Sequence, residues 1–67
     1  MNKMIPVDVK KFEAVLKHNG LSKREAGVKM GYANNALSWV SRQGRISNPM
    51  LVAFCNLTGI TYEAIKF

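Results

Sequence analysis

"LSKREAGVKMGYANNALSWVSRQG", residues 21–44, decides how this chain is read. It opens with Ser22-Lys23-Arg24-Glu25, a capping box in which the Ser hydroxyl satisfies an orphan amide and the Glu reaches back to the cap. The helix that follows runs to about Met30 and turns Ala26 and Met30 inward. Gly31 interrupts the pattern, and a third helix begins near Ala33 or Asn34 and runs to about Gln43. Its narrow apolar face is Ala36, Leu37 and Val40, while Asn34, Asn35, Ser38 and Arg42 point elsewhere. Two helices joined by a short turn, the second with a polar outer face, have the layout of a helix-turn-helix. Gly27, inside the first of the pair, costs roughly 1 kcal/mol against Ala, so its presence predicts a close backbone approach.

The composition of the outer face is unusual. A merely solvated face favours Glu and Lys, which are better helix formers than Asn or Ser. An Asn amide donates to and accepts from one base edge at once, and Arg pairs with phosphate. The same asparagines also suit the start of a helix, where Asn is a favoured cap.

Working outward, the rest of the chain divides into further short helices. Asp8 caps a first one whose apolar positions are Val9, Phe12, Val15 and Leu16, stopped at His18-Asn19-Gly20. His18 sits at its C-terminal end, where the dipole favours it, and has no partner at metal-ligand spacing. "RQGRISNP", residues 42–49, reads as a loop, with Asn48-Pro49 opening a fourth helix over about Pro49 to Thr58. That helix is apolar on most sides and belongs at the centre of the core. After Gly59, Thr61 caps a short last helix carrying Tyr62, Ile65 and Phe67. No segment shows the sustained alternation of a strand, so the expectation is an all-α domain of five short helices held by their packing. Tyr32 is assigned to the core, and Trp39 to its edge or against the loop. Lys10, Lys11 and Lys17 form a solvated face, and Met1 to Pro6 is a loose terminus or, through Lys3, an arm.

Size and charge bound the function. Sixty-seven residues make one domain, which buries only roughly 60% of its unfolded surface. Ten basic residues against four acidic ones give a net charge of +6, an excess that favours polyanionic partners. Four of the six net charges fall between Leu21 and Ser47, on Lys23, Arg24, Lys29, Arg42 and Arg45 against Glu25. Cys55 stands alone, so no disulfide or cysteine metal site arises within the chain, and its apolar neighbours predict a buried thiol in a reducing compartment. The N-terminal sequence lacks the marks of a secretory signal, and the longest apolar run, Met50 to Cys55, is too short to cross a bilayer. A soluble, cytoplasmic protein is expected. Four scattered carboxylates, one His and one Cys make no catalytic or metal constellation, so no enzyme, cofactor or metal is expected.

At Leu21-Ser22, Lys23, Gly27, Met30-Gly31, Tyr32, Ala33 and Leu37-Ser38 the chain resembles the lambda repressor-like family, the Cro and phage-repressor (Xre-type) DNA-binding domains. "NPMLVAFCNLTGITYEAIKF", residues 48–67, is similar to that family's ending, and the resemblance covers about residues 8 to 66. It implies a compact five-helix domain whose third helix, about 33–43, enters the major groove of double-stranded DNA. On matching positions, Asn34, Asn35 and Ser38 would face base edges, and Lys23, Arg42 and Arg45 would meet phosphates. Three positions depart from the pattern: Lys23 stands for Gln, Ala33 for a capping Ser or Thr, and Ser41 for a frequent Glu. The Ala at 33 makes Asn34 a rival candidate for the cap.

The resemblance further implies transcriptional control, in a phage or prophage switch protein acting as a homodimer on a near-palindromic site. Ile65 and Phe67 are the candidate dimer surface. The alternative from another class is a small regulator of the same fold that docks through this apolar patch onto another repressor protein instead of operator DNA.

Overall fold

The computed structural model describes residues 4–67. In chain order it contains β1 (Met4–Pro6), α1 (Val9–His18), α2 (Lys23–Lys29), α3 (Ala36–Gln43), β2 (Arg45–Ser47), α4 (Asn48–Thr58) and a single 3-10 turn at Tyr62–Ala64. The capping chemistry read from the sequence sets three of the helix starts. Asp8 accepts from the Lys11 amide at 3.1 Å, and Ser22 and Glu25 form both halves of the capping box. Ser47, one residue ahead of the expected start, accepts from the Met50 amide, with Pro49 in the first turn of α4.

The all-α, five-helix expectation is corrected on two counts. First, the structure contains a two-stranded antiparallel sheet, β1 against β2, with Met4 opposite Ser47, Ile5 opposite Ile46 and Pro6 opposite Arg45. Gly44, at φ 69°, ends α3 in the left-handed conformation and turns the chain directly into β2, so residues 42–49 hold no free loop. Ile46 is fully buried, while its neighbours Arg45 and Ser47 point to the opposite face. Pro6 is tolerated because its missing amide falls on the outer edge, where its carbonyl accepts from the Tyr62 hydroxyl at 2.8 Å.

Second, the expected fifth helix is only the 3-10 turn, and Thr61 makes no side-chain cap. The backbone beyond it is claimed by β1's extension. The Asp8 amide donates to the Ile65 carbonyl at 2.9 Å, Val7 lies opposite Lys66, and the Val7 amide donates to the Gly44 carbonyl at 2.9 Å. Ile65 is thereby drawn into the core. Met4–Pro6, expected as part of a loose terminus or an arm, is strand; Lys3 lies outside the described residues.

The core is one cluster: Val7, Phe12, Leu16, Ala26, Leu37, Val40, Ile46, Leu51, Phe54 and Ile65. At its centre the rings of Phe12 and Phe54 stack with centroids 4.7 Å apart, joining α1 to α4. Tyr32, expected in the core, is half-buried and lies outside this cluster. Cys55 is half-buried, and that burial pushes its thiol pKa up, which keeps it protonated. No helix among the described residues is long and apolar enough to cross a membrane.

The tightest constraint is where α2 meets the turn before α3. A Cβ added to Gly27 would lie 2.9 Å from the backbone carbonyl oxygen of Ala33. The close approach expected from a helical glycine is therefore present. Replacing it sets two effects against each other: helix propensity gains about 1 kcal/mol, and overpacking against backbone costs about 1–3 kcal/mol. Gly27→Ala is expected to lose about 1 kcal/mol net, the middle of the range of about 0–2 kcal/mol that these two effects leave. In a domain this small that is a fall in Tm of roughly 4–8 °C. Thermal unfolding of the two proteins checks it; an unchanged or raised Tm would show that the turn yields freely.

Candidate nucleic-acid interface

α3 turns Leu37 and Val40 into the core, both wholly buried. At ~100° per residue, Asn35, Ser38, Trp39 and Arg42 then share the opposite face. Asn35 and Arg42 are exposed, Ser38 is half-buried, and Trp39 is 42% exposed. Asn34 is exposed in the turn just before the helix. Arg45 is exposed on β2 just beyond its end.

The start of α3 differs from expectation in a way that matters to this face. The helix begins at Ala36, later than the Ala33–Asn34 start expected, and Asn35 is its N-cap residue, with φ −102° and ψ 5°. That backbone departs from the extended geometry of a working cap, and Asn35 makes no side-chain capping bond. Among the described residues the carboxamides of Asn34 and Asn35 are both exposed and outside every side-chain hydrogen bond. Asn34 is therefore not diverted into capping.

Lys23, expected at a phosphate, has a partner within the protein. Its ammonium lies 2.9 Å from Glu13 Oε2, an α1 oxygen that also accepts from the Ser41 hydroxyl at 3.1 Å. One carboxylate thus joins α1, α2 and α3. Ser41 suits this arrangement, because a carboxylate at position 41 would repel Glu13 where the hydroxyl donates to it. The Lys23 ammonium and the Ser41 hydroxyl, both hydrogen-bonded to it, hold the Glu13 carboxyl below the usual carboxylate range.

Two expectations about apolar residues change. Trp39, assigned to the core edge, stands out on the α3 face, in a shallow groove lined also by Asn35, Ala36, Arg42 and Met50. The signal was available: Trp39 lies four residues after Asn35 and three before Arg42, on the side away from Leu37 and Val40. Ile65, offered as half of a dimer surface, is fully buried and presents nothing to a partner, whereas Phe67 is 86% exposed.

The Glu13 clasp makes a pH prediction. A carboxyl whose folded pKa is depressed contributes stability that is full above its ordinary value and is lost as pH falls through the lower folded value. The wild type is therefore expected to lose this contribution below about pH 4.5, the ordinary value for the group. Glu13→Gln lacks it at every pH. Because the pair is solvated, the difference near neutral pH should be below about 1 kcal/mol. Denaturant midpoints of the two proteins should converge on acidification; a gap that stays constant through pH 3 would remove Glu13 from the acid response.

Compared with protein-family models, with characterised proteins and with solved structures, the chain matches none.

Proposed function

We propose that this protein is a sequence-specific double-stranded DNA-binding transcriptional regulator of the cytoplasm that reads the major groove with α3. The observation that carries the reading is the outer face of α3. It is uncovered, it holds paired donor–acceptor amides at its front (Asn34 and Asn35), and arginines stand at and beyond its end (Arg42 and Arg45). Asn amides suit the adenine edge, and guanidinium groups suit phosphate. A net charge of +6 supports a polyanionic partner, and the packing of α2 beside α3 supplies the helix that crosses the backbone.

The resemblance to the Cro and phage-repressor domains favours the same reading at residues 21–44. In that light we place the protein in a phage or prophage switch, as a homodimer on a near-palindromic site. Phosphate contact falls first to Arg42 and Arg45; Lys23 reaches DNA only by leaving or sharing Glu13.

The second reading, a regulator that binds another repressor protein, draws on Phe67, which is almost fully exposed. Burial of Ile65 takes away the other half of the patch on which it relied.

Selection of bound duplexes from a random-sequence library at two salt concentrations tests the proposal. Arg42→Ala is expected to weaken all sites alike and to reduce the slope of log affinity against log salt by about 1. Asn35→Ala is expected to relax preference at one base position, by about 1–3 kcal/mol. Mutants that bind as the wild type does, or binding without salt dependence, would move the function to the protein-binding reading.

A further inference from the structure

Trp39 is the chain's single tryptophan, and it is spent on a surface. A residue of that size is a natural core filler in a domain with so little core, and α3 places Leu37 and Val40 inward at neighbouring positions. The indole instead lines a shallow groove with Ala36 and Met50, and Asn35 and Arg42 share that groove. The groove therefore combines an apolar floor, an amide that can both donate and accept, and a fixed positive charge.

Of the four bases, only thymine offers an apolar group in the major groove, its C5 methyl. Adenine is the base whose edge suits an Asn amide, and the Arg42 charge suits the neighbouring phosphate. We infer that Trp39, backed by Ala36 and Met50, seats a thymine methyl group beside the base read by Asn35. This rests on the DNA-binding reading above and adds to it the identity of the recognised group. The protein then discriminates thymine from uracil at that position although both pair alike with adenine.

The test uses the duplex recovered by library selection, remade with deoxyuridine replacing thymidine at one position at a time. This substitution removes a methyl and leaves the base pair's hydrogen bonds intact. Burial of one methyl is worth about fourfold in affinity. For the wild type, one thymine position in each bound half-site is expected to lose about that much on substitution. Trp39→Ala should bind the thymine duplex more weakly and lose the distinction at that position. Trp39→Phe, which keeps an apolar ring, should retain part of it. The indole fluorescence of the wild type should shift on binding the thymine duplex, and shift less with deoxyuridine at the sensitive position.

Both variants alter an exposed side chain, and circular dichroism establishes that they are folded. Normal, salt-dependent duplex binding with no methyl-sensitive position overturns this inference and leaves the DNA-binding reading standing. Methyl sensitivity that persists unchanged in Trp39→Ala assigns the contact to another residue and overturns it too. Absence of any sequence-enriched duplex overturns both.

Discussion

Gly27 and the carbonyl group of Ala33 lie so close that no methyl group fits between them without displacement. The position of everything on α3 follows from that contact. α2 has only seven residues and α3 only eight, lengths at which an isolated helix does not hold in water. Each exists because the other is packed on it, with Ala26 buried beside Gly27. The connecting turn is clamped from both ends: the Tyr32 amide donates to the Gly27 carbonyl at 2.9 Å, and the Ala36 amide to the Ala33 carbonyl at 3.1 Å. Asn34 and Asn35 are the two central residues of the turn that the second bond closes. Their amides are therefore presented by a fixed backbone, which lowers the ordering cost of meeting a partner.

A second constraint acts on charge. Glu13, through its bonds to Lys23 and Ser41, ties α1, α2 and α3 on the surface, outside the hydrophobic core. The clasp contributes little stability, because both ions are solvated. Its larger effect is on geometry and field. It fixes the side of α3 next to α2, and it cancels one positive charge that would otherwise face the same partner as Arg42. Cationic attraction is thereby shifted toward the far end of α3, where Arg42 and Arg45 are exposed. On the proposed reading, a polyanion would be held at the C-terminal end of the helix, with the N-terminal end left to neutral amides.

The parts of the fold legible in the sequence are those governed by contacts three or four residues apart. Asp8 and the Ser22–Glu25 box mark helix starts through bonds to amides in the first turn, and Leu37 and Val40 mark an inward face through helical spacing. Gly27 was legible for a related reason: an unfavourable residue in a helix implies a steric need. The sheet was not legible. Each strand has three residues, so Arg45-Ile46-Ser47 shows a single alternation, and the partner of Ile46, Ile5, is far away in the sequence. The C-terminal turn failed similarly. Thr61 and Tyr62 look like a helix start, but the competing claim on Ile65 comes from Asp8, at the other end of the chain. On the candidate interface, Asn34, Asn35, Ser38 and Arg42 were named from residue type, from their place off the apolar face of the helix, and from the resemblance. Trp39 was misplaced because its type argued for the core, while its position on the helix argued for the surface.

That conflict between type and position recurs at the start of α3, and there it carries meaning. α1, α2 and α4 each begin with a side chain bonded to an amide of the first turn. α3 does not, although its N-cap residue, Asn35, belongs to the type best suited to the task. Loss of a side-chain cap costs about 1 kcal/mol, a substantial fraction of the stability of so small a domain. The backbone at Asn35 has been turned away from capping geometry, and the amide that would have closed the helix faces outward with Asn34 beside it. Local rules that hold at three helix starts fail at the fourth, and such failures concentrate where a chain is shaped for a partner instead of for itself. The uncapped amide, the exposed indole and the free arginine all lie on this one helix face. Each is unfavourable or wasted in the isolated domain, and on the proposed reading each would gain a use against the edge of a base pair and its phosphate.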